Sequence, residues 1–188
     1  MNDTADRIKQ GRIRKSIRKS KMNDNLTQSD IDKMQKEIEY RKIELRPKLI
    51  EDVKVARAQG DLSENFEYYA AKREKNINES RIRYLERMVK TANVIDDSSL
   101  ADEVGINNTV TVEIVDDHEI EQYKIVTTIR SNSLKGLISI ESPMGRALMG
   151  RKIGERVTIR VNESISYDVI INDIDKSTDD SEDEISKY

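Results

Sequence analysis

Of the chain's 188 residues 37% are charged and 36% belong to the apolar set, so the core is modest for the length and long solvated helices suit the balance better than one compact sphere. The formal net charge of −3 averages over opposed ends: residues 7–21 carry eight Lys or Arg and no acid, whereas residues 173–188 carry seven Asp or Glu against two Lys. The lack of cysteine excludes a disulfide framework and thiolate metal sites, no apolar run approaches the roughly 20 residues of a membrane span, and the basic start has no apolar signal block; the expectation is a soluble, cytoplasmic protein without a membrane partner.

In chain order, residues 1–25 form a basic arm with too little apolar surface to offset chain entropy, expected to be disordered. Such an arm holds nucleic acid or an acidic protein patch, or is simply solvated. Residues 28–58 then take a helical period. Ile31, Met34, Ile38, Leu45, Leu49, Val53 and Ala56 recur at steps of three and four, and Thr27-Gln28-Ser29-Asp30 supplies capping residues. Pro47 predicts a kink or break near Arg46, and Gly60 a stop. A second helical run covers 63–92, with Ala71, Lys75, Asn78, Ile82, Leu85, Val89 and Ala92 on a heptad seam that turns polar toward the bend. Two helices of about 30 residues with so short a connection fold back on each other as an antiparallel coiled-coil hairpin over residues 26–96, each arm about 45 Å long, with its tip at 60–65.

After Asn93 the period becomes two. Val110, Val112 and Ile114 share a strand face, as do Val157, Ile159 and Val161, and Ile165, Tyr167, Val169 and Ile171. Residues 122–128 and 137–140 read as further strands, and SPMGRALMG (142–150) as a short helical turn between Pro143 and Gly150. The fold class is α+β: the hairpin, then a small, mostly antiparallel β domain over 97–175. Residues 176–188 read as an acidic disordered tail.

The tip raises the functional question. GDLSENFEYYAA (60–71) gathers Asp61, Glu64 and Glu67 with Phe66, Tyr68 and Tyr69, three of the eight aromatics in the chain. On one reading Asp61 and Glu64 form a capping box for the second helix, and Phe66 and Tyr68 close the hairpin end. On the other they are a donated half-site for magnesium, which takes one or two protein carboxylates and completes its octahedron with water and phosphate oxygens. Two exposed acids are too few to hold a metal tightly, so a partner would supply the remaining ligands.

The stretch GDLSENFEYYAAKREKNINESRIRYLERMVKTANVID (60–96) resembles the signature of the Gre transcript cleavage factors of bacterial RNA polymerase, GreA-like more than GreB-like. ISIESPMGRALMG (138–150) matches the family's second motif in the right order, Arg46-Pro47 also fits, and the resemblance covers residues 26–175. It implies an FKBP-like C-terminal domain and a monomer. It further implies that the coiled coil enters the secondary channel of a backtracked polymerase, where Asp61 and Glu64 help hold a shared Mg2+ while the polymerase cleaves the 3′ end of its own RNA. The protein is then an enzyme's cofactor, with RNA polymerase and the nascent RNA 3′ end as partners. Asn65 and Tyr68 support the tip and orient the acids. Lys72 and Arg73 face the RNA, in a stretch (66–92) with seven Lys or Arg against four Glu, although a solvated face with i,i+4 pairs reads the same way. Ser142, Pro143 and Met144 grip the channel rim, or else only form a turn.

The match weakens at IVTTIRSN (125–132), where Thr127 replaces a glycine and Arg130-Ser131-Asn132 an acidic patch, and at Asn162-Glu163-Ser164, which replaces a Gly-containing turn. His118, in DDHE, reads as an inert loop residue. Rival classes are a Gre-like paralogue that occupies the channel and inhibits, a peptidyl-prolyl isomerase, which would need more aromatics than Tyr123 and Tyr167, and a standalone nuclease, which would need more metal ligands.

Overall fold

The structure, a computed structural model, describes residues 25–58, 65–177, 180 and 183–186; the basic arm and the bend with Asp61 and Glu64 lie outside the described residues. The chain divides into two compact units, residues 31–93 and residues 25–30 with 94–188. No helix among the described residues is long and apolar enough to cross a membrane.

In the first unit the helical run is one path with a widened turn: α1 (Gln28–Tyr40), a π-helical turn (Arg41–Leu45) and α2 (Arg46–Ala58). Pro47 has no N–H to donate and its ring crowds the carbonyl four residues back. The disruption expected near Arg46 therefore falls just before it, where the Arg46 N–H reaches the Arg41 carbonyl five residues back and the helix continues. The returning helix α3 (Phe66–Thr91) has 26 residues, about 39 Å of rise, and starts three residues later than its periodicity predicts. Met34, Leu49 and Ala56 are buried on one arm, and Asn78, Ile82, Leu85 and Met88 on the other.

Polar groups in the seam make the two arms antiparallel in one register. Both Glu37 carboxylate oxygens accept from Arg81, at 3.0 Å each, and Oε1 also accepts from Arg41 Nε at 2.7 Å. Arg41 Nη1 in turn donates to Asn78 Oδ1 at 3.1 Å. One turn nearer the bend, Arg46 grips both oxygens of Glu79 at 2.6 and 2.8 Å, and this bond holds the Glu79 carboxyl below its ordinary range. Burial raises the Glu37 pKa, but the bonds and charges of Arg81 and Arg41 outweigh it and leave the group lowered.

The second unit is built on a five-stranded sheet of order β5-β4-β3-β7-β6: β3 (Thr109–Ile114), β4 (Ile120–Val126), β5 (Leu137–Ser139), β6 (Arg156–Arg160) and β7 (Ser166–Asp175). The short strand β1 (Asn25–Leu26) pairs with β2 (Asn93–Val94). Pairings β3–β4, β3–β7 and β6–β7 are antiparallel and β4–β5 is parallel, so the sheet is mostly antiparallel, as the sequence pattern predicts, with one parallel pair at the β5 edge. Two 3-10 turns, Thr128–Arg130 and Ser133–Lys135, carry the chain back so that β5 runs alongside β4 in the same direction. A bulge lets Ile171 and Ile174, three residues apart, both face the core: Val112 pairs with Ile171 and Thr111 with Asp173, leaving Asn172 as the extra residue.

The start of α1 is a reciprocal capping box, with Thr27 N–H donating to Asp30 Oδ2 at 2.9 Å and Asp30 N–H to Thr27 Oγ1 at 3.2 Å. Asp30 is fully buried against the other segment of its unit. Thr127 Oγ1 donates to Asp30 Oδ2 at 2.8 Å, and Arg130 Nε lies 2.7 Å from Oδ1, an ion pair without hydrogen-bond alignment. The helix α4 (Pro143–Leu148) closes one side of the core through Leu148. It can do so because residue 145 has no side chain: a Cβ there would stand 2.1 Å from the Ser139 carbonyl oxygen.

Two outcomes are expected. Gly145→Ala destabilises the sheet unit by at least about 2 kcal/mol, read as a lowered midpoint in denaturant melts, since backbone rather than a flexible side chain meets the new methyl. Because the Glu37 pKa is lowered on folding, its contribution is present above the ordinary value of 4.5 and is lost as pH falls below it. Glu37→Gln is expected to be less stable than wild type at neutral pH, with the gap closing in melts at pH values progressively below 4.5.

Candidate functional site

At the bend end of the hairpin, one side chain ties the two arms. Asn65 is the N-cap of α3: its Oδ1 accepts the Tyr68 N–H at 2.9 Å, satisfying a donor the first helical turn leaves unpaired. Its Nδ2 donates to the Ala56 carbonyl at 2.7 Å, near the end of α2. A single amide thus caps the returning helix and fixes its start against the outgoing one. The capping task that the sequence assigns to Asp61 belongs to Asn65, because α3 begins at Phe66 and not at 63.

The aromatics do not bury the hairpin end as the capping interpretation expects. Phe66 is 86% exposed and Tyr69 53% exposed, while Tyr68 is half-buried. Tyr68 and Tyr69 meet edge-to-face at 5.6 Å, and the Lys72 ammonium lies 5.7 Å from the Tyr68 ring centroid. Asn65, Tyr68 and Lys72 therefore form one connected face of the first two turns. Arg73 is exposed beside them on the helix. The only Phe of the chain, left in solvent next to a bend, has the character of a contact residue rather than of core.

Ser142, Pro143 and Met144 lie in the other unit. Ser142 caps α4, its Oγ accepting the Gly145 N–H at 2.9 Å, and Pro143 occupies the first turn, where its missing N–H costs nothing. Met144 is half-buried against the core and Pro143 is exposed. The turn is thus held by its own cap and presents Pro143 outward. His118 sits in the loop between β3 and β4 at φ 59°, with Nδ1 2.7 Å from Glu113 Oε1.

Sequence reasoning missed the groups that set the hairpin register, Glu37, Arg41 and Arg81, and the buried role of Arg130. Asn78, a polar residue at a seam position, was the available signal for the first, since a polar seam residue specifies pairing. Arg130 and Asp30 are a hundred residues apart with no periodicity connecting them, so nothing local reveals that pair.

Two sequence-family models match: a transcription elongation factor N-terminal domain over residues 25–94 and a GreA/GreB transcription elongation factor C-terminal domain over 98–176. Among characterised relatives, transcription elongation factor GreA of Streptococcus gordonii is 41% identical over 153 residues, 81% of this chain and 95% of its own. GreA of Macrococcus caseolyticus is 43% identical over 134 residues, 71% of this chain and 85% of its own. Among solved structures, GreA factor homolog 1 of Thermus thermophilus aligns at 23% identity and a TM-score of 0.38, covering 81% of this chain and 98% of that one. A GreA/GreB factor from Nitrosomonas europaea aligns at 23% identity and a TM-score of 0.36, covering 50% and 78%.

Asn65→Ala removes both the cap and the tie to Ala56. The expected cost is about 1 kcal/mol, seen as faster amide exchange at Tyr68 and Tyr69 while the Ile82–Met88 turns stay protected.

Proposed function

This chain belongs to the GreA/GreB family of transcription elongation factors, and on that premise we propose that it rescues backtracked RNA polymerase by carrying Asp61 and Glu64 into the secondary channel. There it stimulates the polymerase to cleave the extruded 3′ RNA. The observation that carries this reading is Asn65: it supplies the helix cap and the cross-arm tie, so the capping role is filled without the acids that precede it.

The family resemblance then implies a task for each residue that its chemistry suits. The Asp61 and Glu64 carboxylates are hard oxygen donors suited to magnesium, and two of them complete a coordination shell begun by a partner rather than forming one alone. The magnesium ion, when bound, supplies water activation and neutralises charge developing on the phosphodiester. Asn65 fixes where the bend meets α3, and Tyr68 packs beside it; together they orient the acids. Lys72, resting on Tyr68, and the exposed Arg73 hold the phosphates of the extruded RNA. Ser142, Pro143 and Met144 are the turn that contacts the channel rim, with Pro143 outermost. The chain brings ligands and positioning to a reaction whose remaining machinery is the polymerase's, and it works as a monomer.

The test is transcript cleavage in stalled, backtracked complexes with wild type and with Asp61→Asn/Glu64→Gln. Wild type is expected to accelerate cleavage, and the double variant to bind equally well while losing at least about tenfold of the stimulation. Full stimulation by the variant would overturn the role of the acids. Binding by wild type without any stimulation would make the protein an inhibitory occupant of the channel.

A further inference from the structure

We propose that Asp180 and residues 183–186 are an intramolecular ligand of an acidic-peptide site on the sheet unit, centred on Lys124 and Arg130. The inference does not depend on transcript cleavage. Composition alone reads this end as an unpacked tail, yet its described residues make specific contacts. Asp183 Oδ2 accepts from Lys124 Nζ at 2.8 Å and from Arg130 Nη1 at 3.0 Å, and Asp180 Oδ2 lies 3.6 Å from the same Nη1. Three residues on, the Ser186 N–H donates to the Ile129 carbonyl at 2.8 Å and its Oγ to the Ser131 carbonyl at 3.2 Å.

Arg130 has the features of a built receptor. Its side chain is 0% exposed, and its guanidinium is held from behind by Asp30 at Nε and by the Asn107 side chain at Nη2. Nη1 meets the carboxylates of Asp183 and Asp180. That arrangement fixes the fork in place and removes most of the side-chain entropy that an exposed arginine would lose on binding. Of the five charges that meet here, Lys124 and Arg130 bring two positive ones, and Asp30, Asp180 and Asp183 bring three negative ones. Lys135 adds a further cation on the wall of the cavity beneath 183–186, alongside Asn132 and Leu137.

The two anchor points define the ligand class. A free anion satisfies the two cations but cannot donate a main-chain N–H to Ile129. A peptide with a carboxylate three residues before a free N–H satisfies both, so the site reads an acidic segment of chain. The acidic end meets the stretch 129–131, which carries Arg130 between the two carbonyls that accept from Ser186. In the folded chain the tail holds the site at high local concentration, so an acidic segment of another molecule must displace it.

The test uses a fluorescent peptide of sequence TDDSEDEISKY (residues 178–188) and the full-length chain, followed by anisotropy at low and high salt. Asp180→Asn/Asp183→Asn releases the tail and is expected to bind the peptide at least about tenfold tighter than wild type. Adding Lys124→Gln is expected to reverse that gain, and raised salt to weaken binding. A scrambled peptide of the same composition should bind at least about tenfold more weakly, since it misplaces the carboxylate relative to the N–H. Equal affinity of wild type and variant, no binding to either, or equal binding of the scrambled peptide would overturn the proposal. Amide exchange gives an independent check in unaltered protein: Ser186 should be protected, and exchange there at the rate of a free peptide would equally overturn it.

Discussion

The Glu37 carboxylate, shared between Arg81 and Arg41 inside a helical seam, is the constraint on which the hairpin depends. Apolar seams tolerate sliding, because a Leu one heptad away offers much the same surface. A carboxylate with two guanidinium partners, and an Asn78 amide meeting Arg41 one turn further, has only one satisfied register. Slipping by a turn would strand charges in a partly desolvated seam, at a cost of several kcal/mol. The register in turn decides which residues occupy the bend and lets Asn65 find Ala56 opposite it. The start of α3 is therefore set by polar groups that lie 13 to 28 residues from Asn65 in sequence.

The same economy recurs in the sheet unit. Asp30 closes a capping box on α1 with one oxygen and faces the buried Arg130 with the other, so one carboxylate serves a helix end and a long-range pair. Removing one member of such a buried pair typically costs about 3–5 kcal/mol, although the pair as a whole need not outdo an apolar replacement. Its value is specificity: it fixes the 3-10 turn after β4 and holds the fork of Arg130 toward the chain's acidic end.

Much of this was legible in the sequence where the signal is periodic. The two helical runs, the change to period two after Asn93, and the turn SPMGRALMG all follow from the spacing of apolar residues and from Pro and Gly. The disruption at Pro47 was expected; its form is a widened turn just before the proline, through which the helix continues. Phe66 and Tyr68 read as closing the hairpin end because aromatics usually pack; Tyr68 is half-buried, whereas Phe66 is exposed at the first position of α3, a start that the Asn65 cap sets. The parallel edge strand β5 was invisible because strand direction depends on the path of the connecting 3-10 turns, not on the strand's own pattern. The Arg130–Asp30 pair and the docking of Asp183 depend on charge complementarity between distant segments, which no local period records.

The central claim is that the hairpin tip completes a magnesium shell inside the polymerase. The most direct measurement is the magnesium dependence of transcript cleavage by backtracked polymerase, with and without the factor. If Asp61 and Glu64 donate ligands, the factor lowers the half-saturating magnesium concentration by at least about tenfold. An unchanged half-saturation point, with cleavage faster only at saturating magnesium, would contradict the account and leave the factor acting on RNA position rather than on the metal.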